Sequence, residues 1–393
     1  MLGDTESILE YLNYELPEIN VLYASDANID LLAIVEEITR DPWLHYGGFI
    51  VVHENESERE LVKTLKRVNI IAFIRRRAVS QYLPRVLRIL RENRSFLYQR
   101  DIHFLLSSFH SGSFEVDNDP FDLNTYSNLL TNFLYNSNLI SFEQKDYFHV
   151  GMIELLLNAV EHGNCQINDQ EKDEWLGSGN DILDLIREKN KDPDIRSRKV
   201  WLSYKITPQN SHFSIRDQGA GFDWQAHKTT TGEAGLQESH GRGVAIATLY
   251  LNKLSYNEAG NEVSFEIDNI LDESNVVPPV FSDMEEVEFQ DGDMVFEQGE
   301  ESTFLYFIVS GRYEILVNNK QIDTLTPDDI FLGEMSFLLN NTRSARVIAA
   351  GKGMLIKISK NAFVKAIKDS PHYGIFLARL LAQRLVRLHG QRT

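Results

Sequence analysis

The chain has 393 residues, of which 42% are hydrophobic and 25% charged, the balance of a globular protein with several hydrophobic cores. Its length predicts two or three domains. The formal net charge of −19 argues against a nucleic-acid-binding protein, because such proteins neutralise phosphates with clustered Lys and Arg. Since Cys165 is the one cysteine in the sequence, an intrachain disulfide and a multi-cysteine metal site are both excluded.

No apolar run in the sequence is long enough to cross a bilayer. The acidic N-terminus MLGDTESILEYLNYELPEIN lacks the basic start and apolar core of a signal peptide. These features predict a cytoplasmic protein that binds neither membrane nor nucleic acid. One basic segment, residues 66–94, alternates arginines with leucines at helical spacing, which favours a solvated helix face.

Residues 1–115 alternate short apolar runs with amphipathic helical patterns. The runs NVLYAS, GFIVVHE and NIIAFIR predict the parallel strands of a small α/β module. The module resembles a degenerate receiver domain of response regulators. His53 and Glu54 stand where its phosphoacceptor aspartate is expected, and Arg75 or Arg76 where its lysine is expected. The function of this module is left open.

Two further domains are predicted, which makes the fold class multidomain α+β. In residues 116–270 the segments KVWLSYKITPQ, SHFSIRD and EVSFEIDN predict strands. The polar segment 165–199 predicts a loop that carries one short helix. In residues 278–393 short strands with glycine turns precede a helical tail, which predicts a β-roll with helices packed behind it.

The segment ELLLNAVEHGN, residues 154–164, predicts an apolar helix that also carries polar side chains at helical spacing. Glu154 and Asn158 are four residues apart and therefore share one face of the helix. An amide oxygen suits Mg²⁺, which bridges phosphates, and a carboxylate one turn earlier could accept a proton from a nucleophile. The polar edge of an ordinary core helix remains the alternative interpretation.

Two glycine-rich segments follow. In SIRDQGAGFD, Asp217 could accept a hydrogen bond from an adenine amino group, and Gly219 and Gly221 allow the backbone to approach a ligand closely. In GEAGLQESHGRGVAIATLYL, residues 232–251, glycines precede a helical run whose N-terminus would offer N–H groups to polyphosphate. Each segment alone is also compatible with a plain turn or loop.

In this order and spacing the three segments resemble the GHKL (Bergerat) ATP-binding fold, an α/β sandwich shared by histidine kinases and gyrase. The form E-x-x-x-N-A-x-x-H-G is most similar to that of the anti-sigma-factor serine kinases. The resemblance implies ATP and Mg²⁺ as cofactors, with Glu154 as catalytic base, Asn158 as Mg²⁺ ligand and Asp217 as adenine reader. It implies these further nucleotide-binding residues: His162, Gly163, Gly219, Gly221, Gly235, and the lid residues Gly241, Arg242 and Gly243.

The C-terminal segment FLGEMSFLLNNTRSARVIA, residues 331–349, contains Glu334 and Arg343. A carboxylate can accept a hydrogen bond from a ribose 2′-hydroxyl, and a guanidinium can pair bidentately with a phosphate. The alternative interpretation is a surface Glu–Arg ion pair that contributes little to stability. The segment resembles the phosphate-binding cassette of the cyclic nucleotide-binding domain, with Thr342 in place of its usual proline. The resemblance implies a ligand held by Gly333, Glu334, Met335, Ser336, Arg343, Ser344 and Ala345.

The choice between cAMP and cGMP is left open, because a serine at position 344 occurs in binders of either nucleotide. Gly292, Gly299 and Gly311 are expected at turns of the β-roll. The alternative for this domain is a degenerate fold used only for assembly.

Together the resemblances predict a cyclic-nucleotide-regulated protein kinase of the anti-sigma-factor type. Its partner would be an anti-sigma-factor antagonist, phosphorylated on Ser or Thr. The alternatives are a non-catalytic ATP- and cyclic-nucleotide-binding regulator that sequesters a sigma factor or another partner, and an atypical histidine-kinase-like ATPase. The oligomeric state is left open, with a homodimer through the central domain or the C-terminal helix as one alternative.

Overall fold

The computed structural model describes residues 2–40, 45, 47–54, 58–96, 110–137, 139–207, 209–222, 247–248, 251–270, 274–275, 277–339 and 341–390. The chain divides into two compact units. The first unit contains residues 1–48, 56–68 and 273–393, and the second contains residues 49–55 and 69–272. Within the described ranges, no helix has both the length and the apolar character needed to span a membrane.

The N-terminal part of the chain alternates helices with strands, as its sequence predicts. The elements are α1 (Thr5–Glu15), β1 (Ile19–Tyr23), α2 (Leu31–Arg40), β2 (Gly48–His53), α3 (Glu58–Thr64), β3 (Ile70–Arg75) and α4 (Val79–Glu92). Strand β2 is buried along its whole length and pairs in parallel with β3. The predicted parallel pairing is thereby confirmed, whereas the likeness to a receiver domain stays a prediction.

The second unit is built on a five-stranded antiparallel sheet in the order β4-β5-β6-β8-β7. Its strands are β4 (His110–Asp117), β5 (Lys199–Ile206), β6 (Asn210–Arg216), β7 (Asn252–Tyr256) and β8 (Glu262–Asp268). Strands β5, β6 and β8 confirm the three strands predicted from sequence. The alternating burial along β6 and β8 shows that one face of the sheet is covered.

Two long helices accompany this sheet, α5 (Pro120–Asn136) and α6 (Phe142–Asn158). Helix α6 begins with a capping box, in which Ser141 and Gln144 bond each other's backbone N–H groups. Its Phe148 ring lies 5.1 Å from the ring of Phe213 on β6, which in turn lies 5.3 Å from Phe265 on β8. Helix and sheet therefore share one hydrophobic core, the arrangement of an α/β sandwich.

Strand β3 and helix α4 belong to the same unit as the central sheet. The side-chain amides of Asn128 and Asn132 on α5 donate to the carbonyl oxygens of Ile71 and Ile70, at 3.0 and 2.9 Å. Arg85 on α4 pairs with carboxylates at the start of α5, those of Asp119 and Asp122, at 2.6 and 2.5 Å. These contacts fix the orientation of α5.

The polar segment 165–199 differs from the prediction of a loop with one short helix. It contains three helices, α7 (Asp169–Gly177), α8 (Ile182–Lys189) and α9 (Pro193–Ser197). Each begins after a residue whose side chain accepts a bond from a backbone N–H of the first turn: Asn168, Asp181 and Asp192. These N-caps stabilise the starts of the three short helices, of which α8 also buries Leu185 and Ile186.

The first unit contains the predicted β-roll, made of two four-stranded sheets in the orders β10-β15-β12-β13 and β14-β11-β16-β9. Its strands are β9 (Glu285–Phe289), β10 (Met294–Phe296), β11 (Phe304–Ser310), β12 (Tyr313–Val317), β13 (Lys320–Leu325), β14 (Phe331–Leu332), β15 (Arg346–Ala349) and β16 (Gly353–Ser359). Three helices accompany them, α10 (Glu334–Leu339), α11 (Lys360–Asp369) and α12 (His372–Gly390). Gly292, Gly299 and Gly311 have φ angles of 83°, 88° and 93°, which confirms them as turn glycines.

Helix α1 belongs to the same unit and ends against helix α12. The guanidinium of Arg379 donates to the carbonyl oxygens of Glu15 and Tyr14, at 2.6 and 3.3 Å. These carbonyls lie in the last turn of α1, where a helix leaves its acceptors without internal partners. Leu16 packs against the hydrophobic core that contains Phe376 of α12. Arg379 therefore acts as a C-cap supplied by another helix.

Candidate functional sites

Glu154 and Asn158 lie one turn apart on the last two turns of α6. Both are partly buried, whereas Leu155 and Leu156 between them are at most 1% exposed. The apolar face of the helix thus packs into the core, and the polar face carries a carboxylate beside an amide. The amide oxygen of Asn158 is a ligand of the kind that Mg²⁺ takes in phosphate-binding sites, so this side chain fits that ion.

The segment after Asn158 is a π-helix, Ala159–Asn164, which widens the end of α6. Such turns are rare and occur frequently at functional sites. His162 is exposed, and its Nδ1 lies 2.8 Å from the carbonyl oxygen of Ile167. Its Nε2 lies 3.2 Å from Oε1 of Glu161. The imidazole is therefore held in one orientation by this chain's own groups.

Glu161, for which the motif suggests no role, forms an ion pair with the polar segment. Its side chain is 6% exposed, and its Oε1 lies 2.6 Å from Nζ of Lys172 on α7. Because a buried carboxylate without a partner is unfavourable, this pair stabilises the π-helix and ties α7 to it. No sequence signal identified Lys172, since it belongs to a short polar helix without a recognisable motif.

Gly163 lies against the glycine motif that follows β6. A β-carbon at Gly163 would overlap the carboxyl group of Asp217. A β-carbon at Gly219 would lie 2.6 Å from the carbonyl oxygen of Gly163. Because only glycine allows this approach, the helix motif and the first glycine motif meet backbone to backbone. The structure thus brings two of the three predicted segments together.

Asp217 is held by two hydrogen bonds to backbone groups, one through its own N–H and one through its carboxylate. Its N–H donates to the carbonyl oxygen of Asn261, at 3.0 Å, and its Oδ1 accepts from the N–H of Gly219, at 2.7 Å. Burial raises the pKa of its carboxyl group to about 6. The group is therefore mainly ionised at neutral pH and can accept a hydrogen bond from an amino group.

Gly221 also requires glycine, since its φ is 79° and a β-carbon there would overlap the carbonyl oxygen of Ala259. The motif therefore runs along the turn between β7 and β8. The remaining predicted residues of this site, Gly235, Gly241, Arg242 and Gly243, lie outside the described residues.

Arg343 is the centre of the second candidate site. Its side chain is buried and stacks on the ring of Phe296, at 4.1 Å from the centroid. It donates to the carbonyl oxygens of Gly333 and Phe304, at 3.0 and 2.6 Å, and to Oγ of Ser336, at 3.3 Å. Its Nε has no hydrogen-bond partner among the described residues. A buried guanidinium with a spare donor fits an anionic ligand.

The other cassette residues surround this guanidinium. Glu334, Ser336 and Ala345 are buried, Gly333 is partly buried with a φ of 81°, and Met335 and Ser344 are exposed. A β-carbon at Gly333 would overlap Nη1 of Arg343, so glycine is required there. Burial lowers the pKa of Arg343, and the negative charge of Glu334 opposes that shift. The predicted carboxylate and guanidinium are thus brought into one site.

Two family models match the chain. Residues 116–267 match the histidine kinase-like ATPase domain, and residues 286–370 match the cyclic nucleotide-binding domain. The chain therefore combines an ATPase domain of this class with a C-terminal cyclic nucleotide-binding domain. Neither match identifies the anti-sigma-factor type.

Two similar proteins each align with less than a quarter of the chain. It is 36% identical over 81 residues to a cGMP-dependent protein kinase of Plasmodium berghei (strain Anka), covering 21% of this chain and 9% of that protein. It is 33% identical over 91 residues to the cAMP-dependent protein kinase type II regulatory subunit of Drosophila melanogaster, covering 23% and 24%. The chain thus spans less than a quarter of the length of these relatives.

Among solved structures, the catabolite activator protein of Thermus thermophilus is similar at 26% identity with a TM-score of 0.27, covering 28% of this chain and 55% of that one. A cyclic nucleotide-binding domain from Methylobacillus flagellatus is similar at 18% identity with a TM-score of 0.27, covering 30% and 76%.

Proposed function

We propose that the protein is a cyclic-nucleotide-regulated, ATP-dependent protein kinase of the anti-sigma-factor type. It transfers phosphate to a Ser or Thr of a protein partner, an anti-sigma-factor antagonist. The observation that carries the proposal is the meeting of Gly163 with Asp217, which joins the helix bearing Glu154 and Asn158 to the glycine motif. A base, a cation ligand and a candidate adenine acceptor thereby belong to one continuous structure.

The chemistry follows from these side chains. Glu154 accepts the proton of the partner's hydroxyl group, whose oxygen forms a bond to the γ-phosphorus of ATP. The bond from that phosphorus to the β–γ bridging oxygen breaks, and ADP leaves. Asp217 accepts a hydrogen bond from the adenine amino group and so orients the nucleotide. When Mg²⁺ is bound with ATP, it neutralises phosphate charge, and Asn158 is the residue that would hold it.

The described residues contain no cluster of three His, Cys, Asp or Glu side chains that could hold a metal ion. Mg²⁺ binds one or two protein groups and otherwise phosphate and water, and the protein group proposed for it is Asn158.

The C-terminal domain supplies the regulation. Glu334 binds the ribose hydroxyl of the cyclic nucleotide, and Arg343 binds its phosphate. A ligand can shift an equilibrium only if it binds two states with different affinities, so regulation requires cyclic nucleotide and ATP to influence each other's binding. Calorimetric titration with cAMP and with cGMP, each with and without ATP, measures this coupling. Affinities that do not depend on ATP would contradict the proposed regulation.

Phosphate transfer tests the proposed activity itself. The purified protein is incubated with ATP labelled in the γ-phosphate and with an anti-sigma-factor antagonist from the same genome. We expect acid-stable label on a serine or threonine of the antagonist. Acid-labile label on the protein's own histidine would instead support a histidine-kinase-like enzyme. ATP binding without any transfer would support a non-catalytic regulator that sequesters its partner.

A further inference from the structure

Asn164, the last residue of the π-helix, is fully buried. Both the nitrogen and the oxygen of its side-chain amide form hydrogen bonds. Its Nδ2 donates to Oδ1 of Asn118, at 2.7 Å, and to the carbonyl oxygen of Lys199, at 3.0 Å. Its Oδ1 accepts from the backbone N–H of Gln218, at 2.8 Å. Since that N–H can only donate and the Lys199 carbonyl can only accept, the orientation of the amide is fixed.

The three partners of Asn164 come from separate parts of the second unit. Asn118 follows β4, Lys199 is the first residue of β5 and ends the polar segment 165–199, and Gln218 follows Asp217 in the glycine motif. The polar segment adds a bond of its own at this point, since Nη1 of Arg198 donates to the carbonyl oxygen of Asn164, at 2.6 Å. Asn164 is therefore the junction of these segments.

A second bond ties the glycine motif to the returning end of the polar segment. The backbone N–H of Lys199 donates to Oε1 of Gln218, at 2.7 Å. The residue next to Asp217 is thus held through its backbone by Asn164 and through its side chain by Lys199. Gly163, the neighbour of Asn164, lies against the carboxyl group of Asp217. Any shift of Asn164 would therefore be transmitted to that carboxyl group from two directions.

We propose that Asn164 is a positioning residue for the adenine-binding carboxylate of Asp217, and that the segment 165–199 supports it through the bond between Lys199 and Gln218. This inference rests on the proposed function, in which Asp217 binds the adenine amino group. Asn164 touches no nucleotide in this role. It fixes the backbone at Gln218, so that Asp217 meets the amino group at hydrogen-bonding distance without reorganisation.

Discrimination between ATP and inosine triphosphate measures this role. The inosine base has a carbonyl oxygen where adenine has its amino group, so a correctly placed carboxylate rejects it. Because a hydrogen bond to a charged acceptor is comparatively strong, we expect the unaltered protein to bind ATP about tenfold or more tightly than inosine triphosphate. We expect Asn164→Ala to reduce that preference to about twofold or less, with the loss confined mainly to ATP. If Asn164 had a purely structural role, the variant would bind both nucleotides more weakly to the same extent. The ratio of the two affinities would then be unchanged, and that result would overturn the proposal.

Gln218→Ala keeps the test decisive if Asn164→Ala fails to fold. Gln218 is exposed, so its truncation leaves no buried gap. We expect it to reduce the ATP preference about threefold, as the loss of one neutral hydrogen bond implies. The matched control is Gln170→Ala, which removes an exposed glutamine whose amide bonds Glu174 within α7. An unchanged preference in Gln218→Ala, equal to that of the control, would contradict the inference.

The proposed function and this inference fail in different ways. If the unaltered protein does not prefer ATP, or if Asp217→Ala retains the preference, the adenine-binding role of Asp217 is wrong. If Asp217→Ala removes the preference while Asn164→Ala and Gln218→Ala retain it, only the positioning role is wrong.

Discussion

The α-carbon of Gly163 lies so close to the carboxyl group of Asp217 that no β-carbon fits between them. This contact joins the end of the helical motif to the start of the glycine motif, and it places the partly buried carboxyl group of Asp217 against the π-helix. Both motifs must therefore move together, and substitutions on one side are expected to be felt on the other.

Gly163→Ala tests this contact. The added methyl group would displace the Asp217 side chain, so we expect a loss of about 1–3 kcal/mol in the free energy of unfolding and weaker ATP binding. Gly177→Ala is the matched control, because it lies at the end of α7 with no atom within 4 Å of the added carbon. The control should be neutral or slightly stabilising. Thermal unfolding measures the change in stability, and nucleotide titration measures the change in ATP affinity. Equal stability and equal ATP affinity of the two variants would contradict the observed packing.

If Asp217 binds the adenine amino group as proposed, its raised pKa of about 6 should make ATP binding depend on pH. Above that value the carboxylate accepts the bond from the adenine amino group, whereas below it the protonated group loses this capacity. We therefore expect the Kd for ATP to rise as pH falls from 7.5 to 5, by up to about tenfold per pH unit below the pKa. By linkage, bound ATP should lower the pKa of Asp217.

Asp217→Asn separates this effect from titration of the nucleotide phosphates. Its amide retains an acceptor oxygen but does not titrate, so its profile should show only the contribution of the phosphates. If the two proteins have parallel profiles between pH 5 and 7.5, Asp217 does not titrate in contact with the nucleotide.

Arg343→Lys tests the cyclic nucleotide site. A lysine keeps the charge but lacks the planar fork that bonds both Gly333 and Phe304. We expect at least about a tenfold loss of affinity for cAMP or cGMP in calorimetry. We also expect a lower melting temperature for the C-terminal domain, since two carbonyl oxygens lose their donor. Lys365→Ala, an exposed change on α11, should alter neither quantity.

Arg379→Ala tests the cap between α12 and α1. Removing the guanidinium leaves the carbonyl oxygens of Tyr14 and Glu15 without this donor and removes a cation from the C-terminal end of α1. We expect a cost of about 0.5–1 kcal/mol and faster amide exchange in residues 5–15. Lys368→Ala, at the exposed end of α11, is the control. Unchanged exchange in α1 would show that the cap does not stabilise its docking.

Strands β5, β6 and β8 of the central sheet were predictable because their signal is local. Strands β6 and β8 alternate buried and less buried residues along their length, and this period is visible in the sequence. The motifs around Glu154 and Arg343 were equally visible, since each is contiguous. Only one short helix was predicted in the segment 165–199, whereas the structure has three, because their starts depend on single capping residues such as Asn168 and Asp181.

Relationships between distant residues could not be obtained from patterns. Asn164 and Gln218 are 54 residues apart, and their hydrogen bond forms only because the strands between them bring the two residues together. The pair of Glu161 with Lys172 likewise requires α7 to fold back on the π-helix. In the sequence these polar residues look the same as polar residues exposed to solvent, because only tertiary packing brings their partners to them.

The most direct test of the central claim is the rate of phosphate transfer from ATP to the antagonist in a Glu154→Gln protein. The change removes the proton acceptor and keeps the shape of the side chain. Glu143→Gln, an exposed carboxylate in the first turn of the same helix, is the control. We predict that Glu154→Gln binds ATP normally and transfers phosphate at least about a hundredfold more slowly, whereas Glu143→Gln is unaffected. Transfer at an undiminished rate in Glu154→Gln would contradict the account.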